Sequence, residues 1–83
     1  MSYEIDIDLR AQDDIAALPA TALPALAEAM TVLELAPWTG RPINPDNPDG
    51  AVRTLAFGSA GMLTYLVLDD EQRVDVLTVT WAS

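Results

Sequence analysis

The sequence predicts a single α+β domain over residues 1–83, in which a helical hairpin covers one face of an antiparallel sheet. Three observations predict this class. A strand with strict alternation opens the chain, two apolar segments of helical composition follow, and three strands joined by two tight turns close it. The predicted order of elements is therefore β-α-α-β-β-β. A chain of 83 residues can bury one hydrophobic core but not two.

The opening strand is predicted over residues 3–9, where apolar and acidic side chains alternate without a fault. Such a pattern is typical of a strand with one buried face and one face in water. A short helix is predicted over 11–18, and Pro19 ends it. A second helix follows, since the apolar residues from Leu23 to Leu33 recur at helical spacing, and Pro37 stops it. Its polar stripe is thin, which indicates cover on more than one side.

Residues 37–50 carry most of the prolines and turn-forming residues, and we expect an ordered, rigid loop there. Three closing strands are predicted over 51–58, 62–69 and 73–81. The middle strand is apolar on both of its faces. The strand at 73–81 changes phase, which indicates a bulge or cover on both faces. Because the helices can cover only one face of the sheet, we expect a dimer mate or a partner segment on the other. The two faces of the middle strand are Leu63, Tyr65 and Val67, and Met62, Leu66 and Leu68.

Composition limits the chemistry of this chain. It has no histidine and no cysteine, and we expect neither a cofactor nor a metal site. Its net charge is −9, with four arginines and no lysine. Nucleic acids would be repelled unless the arginines converge on one face, whereas a basic protein partner would be attracted. The acidity is also consistent with a role in solubility alone. No apolar run reaches the length of a membrane span and no signal sequence is evident, so a cytoplasmic protein is expected.

This arrangement resembles the RelE/ParE toxin superfamily of bacterial toxin–antitoxin systems. The resemblance lies in the opening strand over 3–10, the helical pair, Pro37-Trp38, Val52-Arg53-Thr54-Leu55, and the run Tyr65-Leu66-Val67-Leu68-Asp69-Asp70. It implies a small sheet with helices on one face and a concave, open face opposite. RelE-branch members cut mRNA on the ribosome at that face, ParE-branch members inhibit DNA gyrase, and an antitoxin typically wraps either toxin.

The resemblance also implies where catalytic groups would fall. Arg53 matches a basic position on the first of the closing strands. The arginine that ribosome-dependent members carry at the start of the next strand falls on Met62. The basic residue after the last strand falls near Trp81 or Ala82, and the catalytic tail would lie beyond Ser83. Because loss of one oriented donor costs about 10²–10³ in rate, we expect no efficient cleavage of the usual kind.

Several residues are candidates for a functional site. Arg53 and Arg41 are candidate phosphate ligands, although Arg53 could instead pair with a carboxylate, and Arg41 could cap loop carbonyls or pair with Asp46 or Asp49. Tyr65 is a candidate acid–base group, or a core tyrosine with one hydrogen-bond partner. The partner-binding candidates are Trp38, Trp81, Met62 and Arg73. The two tryptophans could instead be packing residues, at the helix–loop corner and at the sheet end.

Three functions remain open at this point. The chain is a toxin-type protein that acts mainly by protein binding and is held by an antitoxin, in a homo-oligomer or a hetero-complex. Alternatively it is a non-toxic acidic scaffold, regulatory or inhibitor domain on the same fold. The third hypothesis is an atypical ribosome-dependent endoribonuclease, in which Arg53, Arg41 and Arg73 form a minimal basic site.

Overall fold

The computed structural model describes residues 2–82. Its helices are α1 and α2, and its strands are β1 to β5, with three short 3₁₀ turns between them. In chain order the elements are β1 (Glu4–Ile7), α1 (Leu9–Ala16), a turn (Ala20–Ala22), α2 (Leu23–Leu35), a turn (Pro37–Thr39), β2 (Arg41–Pro42), β3 (Val52–Phe57), β4 (Gly61–Leu68), a turn (Asp69–Glu71) and β5 (Arg73–Trp81).

The strands form one five-stranded sheet in the order β1-β5-β4-β3-β2. The α+β class is confirmed. The order of elements differs slightly from the predicted one, because a two-residue edge strand, β2, precedes the three closing strands. The sheet is mixed, because β1 runs parallel to β5 while all other neighbours are antiparallel. Tight turns dictate the antiparallel direction of β3, β4 and β5. No turn joins β1 to its partner, so local sequence could not dictate its direction.

The first strand is shorter than predicted. It ends at Ile7, and Leu9 already begins α1 with 76% of its surface exposed. The reason is a helix cap: the Asp8 carboxylate accepts a hydrogen bond from the backbone N–H of Arg10 at 3.4 Å. The alternating pattern therefore runs past the end of the strand into the cap, and the helix begins two residues earlier than the sequence predicted.

The two helices pack on one face of the sheet, α1 against β5 and α2 against β1 and β3. They do not run antiparallel, since the chain bends by 115° between them. Within residues 2–82 no single helix is long and apolar enough to cross a membrane. The two helices have the length and apolar composition of a membrane span only when they are counted together, across the bend.

The hydrophobic core lies between this sheet face and the helices. Alternate residues of β4 and β5 supply most of it, and α2 covers them. Tyr65, Leu33, Leu63, Val74 and Val76 are among its largest fully buried side chains. The predicted bulge in β5 is confirmed: Thr78 stands opposite Thr64 and Val76 opposite Tyr65, so that one extra residue of β5 lies between the two pairs.

The segment between α2 and β3 is ordered by close packing, as its prolines predicted. Gly40 is fully enclosed beneath the sheet edge: a Cβ atom built on it would overlap the Tyr65 hydroxyl and lie 2.6 Å from the carbonyl oxygen of Thr54. Further along, the Asn44 side chain accepts from the N–H of Asp46 at 3.0 Å, which is an Asx turn. Glycine is therefore required at position 40 for lack of space.

We expect Gly40→Ala to lower the free energy of unfolding by about 1–3 kcal/mol, the usual cost of overpacking a filled site. Urea unfolding monitored by tryptophan fluorescence measures the change. Gly50→Ala is the control and should cost less, because its Cβ atom would lie 3.0 Å from the Asn47 side-chain nitrogen and 3.1 Å from the Asn47 carbonyl oxygen, without the overlap found at Gly40. Equal effects of the two substitutions would contradict the packing argument.

Candidate functional site

The sheet face turned away from the helices, here called the open face, is the predicted site. Register places its residues on three neighbouring strands, and they are half-buried or exposed. Threonines form a row across the strands at Thr54, Thr64 and Thr78, and aliphatic side chains flank the row. On β3, β4 and β5 the open face comprises Val52, Thr54, Ala56, Met62, Thr64, Leu66, Leu68, Arg73, Asp75, Thr78 and Thr80. Such a surface suits contact with another polypeptide better than contact with a polyanion.

Charged side chains lie only toward the two edges of the open face. Arg41 on β2 stands opposite Thr54, and Arg73 on β5 stands opposite Leu68. Arg73 donates to the Asp75 carboxylate at 2.9 Å and lies 3.8 Å from Glu71. These contacts, above all the hydrogen bond with Asp75, raise the pKa of the Arg73 guanidinium. Arg73 is thus engaged by carboxylates of its own chain.

Arg53 points to the opposite side of the sheet, toward the helices, and is 7% exposed. Its guanidinium donates to three backbone carbonyls, those of Gly40 (2.9 Å), Pro48 (2.7 Å) and Gly50 (3.1 Å). It also lies over the Trp38 ring, 4.7 Å from the ring centroid. The partners of Arg53 are therefore carbonyls and an indole, where the sequence suggested a phosphate or a carboxylate. A phosphate ligand would have to compete with all of these contacts.

Tyr65 is a core tyrosine that stands opposite Arg53 and is fully buried. Its hydroxyl donates to the carbonyl oxygen of Pro37 at 2.6 Å. Burial raises the pKa of the phenol, although the backbone hydrogen bond with Gly40 and the charge of Arg53 act in the other direction. The phenol is thus a buried group of the core that is bonded to the backbone of the loop segment.

Arg41 and Met62 meet on the open face. Both line a depression of about 400 Å³ together with Thr54 and Ala56. Arg41 is exposed, and the ion pairs recorded within residues 2–82 all involve Arg73, so neither Asp46 nor Asp49 holds Arg41. Met62 is 40% exposed. Of the candidate ligands, Arg41 is the one presented to solvent at this depression.

The structure does not bring the three arginines of the proposed basic site together. Arg53 lies on the helix side of the sheet, while Arg41 and Arg73 lie on the open side. These two are separated by three strand spacings, roughly 14 Å at the usual distance between neighbouring strands. Within residues 2–82, no three acidic, histidine or cysteine side chains are placed to hold a metal ion.

Asp69, in the turn between β4 and β5, is hydrogen-bonded to two residues from the first half of the chain, Tyr3 and Trp38. Its carboxylate oxygen accepts from the Tyr3 hydroxyl at 2.5 Å and from the Trp38 indole N–H at 3.0 Å. The Tyr3 bond is the main reason why the pKa of Asp69 is lowered and that of Tyr3 raised. Sequence reasoning missed this cluster, because its members are 31 and 66 residues apart and no local pattern joins them.

The two tryptophans occupy different environments. Trp38 is 40% exposed, with its indole held between Arg53 and Asp69. Trp81 is half-buried and packs against Phe57 with ring centroids 5.6 Å apart. Trp81 thus closes the sheet end by packing, whereas Trp38 leaves a substantial surface for a partner.

We expect Arg53→Lys to lower the free energy of unfolding by about 2 kcal/mol, because the ammonium group of lysine cannot replace the planar guanidinium, whose N–H groups donate to three carbonyls. Chemical denaturation measures the loss. Arg41→Lys is the matched control and should change stability by less than about 0.5 kcal/mol, as is usual for an exposed side chain. Similar stability of both variants would show that the carbonyl contacts contribute little.

The pH dependence of the stability of Tyr3→Phe tests the hydrogen bonds of Asp69 with Tyr3 and Trp38. Because the pKa of Asp69 is lowered from 3.8, its contribution is present above that value and is lost as pH falls through the folded-state pKa. Because the pKa of Tyr3 is raised from 10.0, its contribution is present below that value and is lost as pH rises through the folded-state pKa. The stability difference between wild type and Tyr3→Phe should therefore be largest at neutral pH and shrink at both extremes. Thermal unfolding between pH 2 and 11 measures it, with Asp13→Asn as control; a constant difference would contradict the argument.

No protein-family model and no curated protein sequence matches this chain. Solved structures do match it. A chain of the RelBE2 toxin–antitoxin complex from Mycobacterium tuberculosis is 24% identical with a TM-score of 0.83, over 99% of this chain and 100% of that chain. The isolated E. coli RelE toxin is 25% identical with a TM-score of 0.77, over 98% of this chain and 85% of that one. A chain of the archaeal RelE–RelB complex from Pyrococcus horikoshii is 16% identical with a TM-score of 0.64, over 98% and 96%.

These matches extend over nearly the whole chain. The chain therefore has the fold of the RelE structures that it matches.

Proposed function

We propose that this chain is a RelE-like toxin-type protein of a toxin–antitoxin system, that it acts mainly by binding another protein, and that a cognate antitoxin holds it. The shared fold supports the system, because two of the matching structures are toxin–antitoxin complexes. The observation that carries the mode of action is the chemistry of the open face, which presents mainly threonine and aliphatic side chains where a ribonuclease needs cations. Its two arginines lie toward opposite edges, and Arg73 is bonded to Asp75.

The placement of the candidate catalytic groups supports binding over cleavage. Attack of a 2′-hydroxyl on phosphorus needs a base, an acid and positive charge near the developing phosphorane. Arg53 and Tyr65 are buried on the helix side, and both are bonded to the backbone of the 37–50 segment. Arg41 alone faces the depression beside Met62. One exposed guanidinium cannot supply all three functions.

A non-toxic acidic scaffold or inhibitor domain is the second candidate. The net charge of −9 favours it, because a strongly acidic domain is suited to occupy a basic surface on another macromolecule. The two candidate functions differ in their effect on a cell that expresses the chain, since only the toxin-type protein should arrest growth.

The test is inducible expression in bacteria, with and without the product of any small reading frame found beside the gene. We expect growth arrest with intact transcripts, relief of the arrest by the second protein, and co-purification of the two. Normal growth would favour the scaffold, and transcripts cut during translation would favour the endoribonuclease.

Met62→Asp places a charge on the open face, at the hairpin end of β4, and should abolish both arrest and co-purification if that face is the binding surface. Leu9→Asp is the matched control, because Leu9 is an exposed leucine at the start of α1, outside the sheet. Loss of function in both variants, or in neither, would contradict binding through the open face.

A further inference from the structure

A second surface lies at the corner where the 3₁₀ turn Pro37–Thr39 meets the turn Asp69–Glu71. It is a groove of about 500 Å³, here called the Trp38 groove. Its floor is apolar, and its walls are an indole and the carboxylates of the second turn. The lining residues are Trp38, Ala51, Val67, Leu68, Asp69, Asp70 and Glu71.

We propose that the Trp38 groove receives an arginine side chain from a basic segment of the protein partner. The inference rests on the proposed function for the existence of that partner, and it adds the site and the chemistry of the contact.

The groove has the two parts that such a side chain needs. Arginine combines an apolar stem with a planar cation, so it binds best where apolar surface leads to an indole or a carboxylate. Ala51 and Leu68 are half-buried and give the stem its surface. Trp38 is 40% exposed and lines the groove, and its ring already has the Arg53 guanidinium above it at 4.7 Å, which shows that this indole accepts a cation.

The carboxylates of the groove are held ready for a cation. Asp69 accepts two hydrogen bonds from neutral donors, Tyr3 and Trp38, so its charge is oriented but not neutralised. Glu71 is 3.8 Å from Arg73, whose stronger contact is with Asp75. Asp70 is exposed and is not part of any ion pair recorded within residues 2–82. A guanidinium in the groove would find two carboxylates, those of Asp69 and Asp70, that take part in neither ion pair of residues 2–82.

Charge complementarity selects the occupant. The chain has 13 carboxylates and four arginines. Two of the arginines, Arg53 and Arg73, are engaged by the chain's own carbonyls and carboxylates. A second copy of this chain would bring a similar excess of negative charge to the groove, whereas a basic segment would reduce it.

The first experiment titrates the ¹⁵N-labelled chain with the blocked pentapeptide Gly-Leu-Arg-Leu-Gly and follows the two indole N–H resonances by NMR. Trp38 reports on the groove, and Trp81, packed at the sheet end, is the internal control. We expect a saturable shift of the Trp38 indole and of the amides of 69–71, with little change at Trp81, and weaker binding at higher salt. Equal shifts of both indoles, or an equal response to the peptide with neutral citrulline in place of arginine, would overturn the proposal.

Asp70→Asn should weaken peptide binding about 2- to 5-fold, the range expected for loss of one exposed ion pair. Glu28→Gln removes the same charge from α2 and is the matched control. Equal affinities of these two variants would overturn the assignment of the cation to the groove.

A second experiment separates this inference from the proposed function. In the co-purification assay, Asp70→Lys should weaken the complex and Glu28→Lys should not. If the wild-type complex forms but Asp70→Lys leaves it unchanged, the groove is not the contact, while the proposed function stands. If neither toxicity nor a partner is found, the proposed function fails, and the peptide titration still decides whether the groove binds arginine.

Discussion

The contact between Arg53 and the 37–50 segment is the interaction on which the rest of the molecule depends. That segment has little regular structure, and its backbone carbonyls need donors. Arg53 supplies three N–H groups to carbonyls at both ends of the segment, at Gly40 and at Pro48 and Gly50. Beneath it, the Tyr65 hydroxyl binds the carbonyl of Pro37. A buried cation is thereby matched by carbonyl dipoles and an indole face, without a carboxylate.

This anchoring also determines the surfaces that a partner meets. Because the segment is fixed, Trp38 is held between Arg53 and Asp69, and β2 is placed at the edge of the sheet. Arg41 is thereby exposed beside Met62 on the open face. Arg53, a candidate phosphate ligand by sequence, is thus bonded to carbonyls of this segment and orders the surfaces around it. Shared fold and shared chemistry are separate properties, since a fold can be kept while the side chains of its site change.

The fold was largely predictable, and the reasons are local. The two hairpin turns and the alternation in β4 predicted the antiparallel strands, and the phase change in β5 predicted its bulge. The end of β1 was predicted wrongly, because the same alternating residues can continue a strand or, with Asp8 as cap, begin a helix. The site was less predictable. Alternation grouped Met62 and Leu66 on one face of β4, but the bonds of Arg53 to Gly40 and of Asp69 to Tyr3 join residues that no local pattern connects.

The sequence by itself determined the α+β class, the order of its main elements, the charge of −9 and the absence of histidine and lysine, because these follow from composition and short-range periodicity. Only the tertiary structure decided that β1 lies parallel to β5, that Arg53 and Tyr65 face the helices while Arg41 faces the open side, and that Tyr3, Trp38 and Asp69 meet. These features depend on contacts between segments far apart in sequence. Such contacts form only when the helices pack against the sheet and enclose the core.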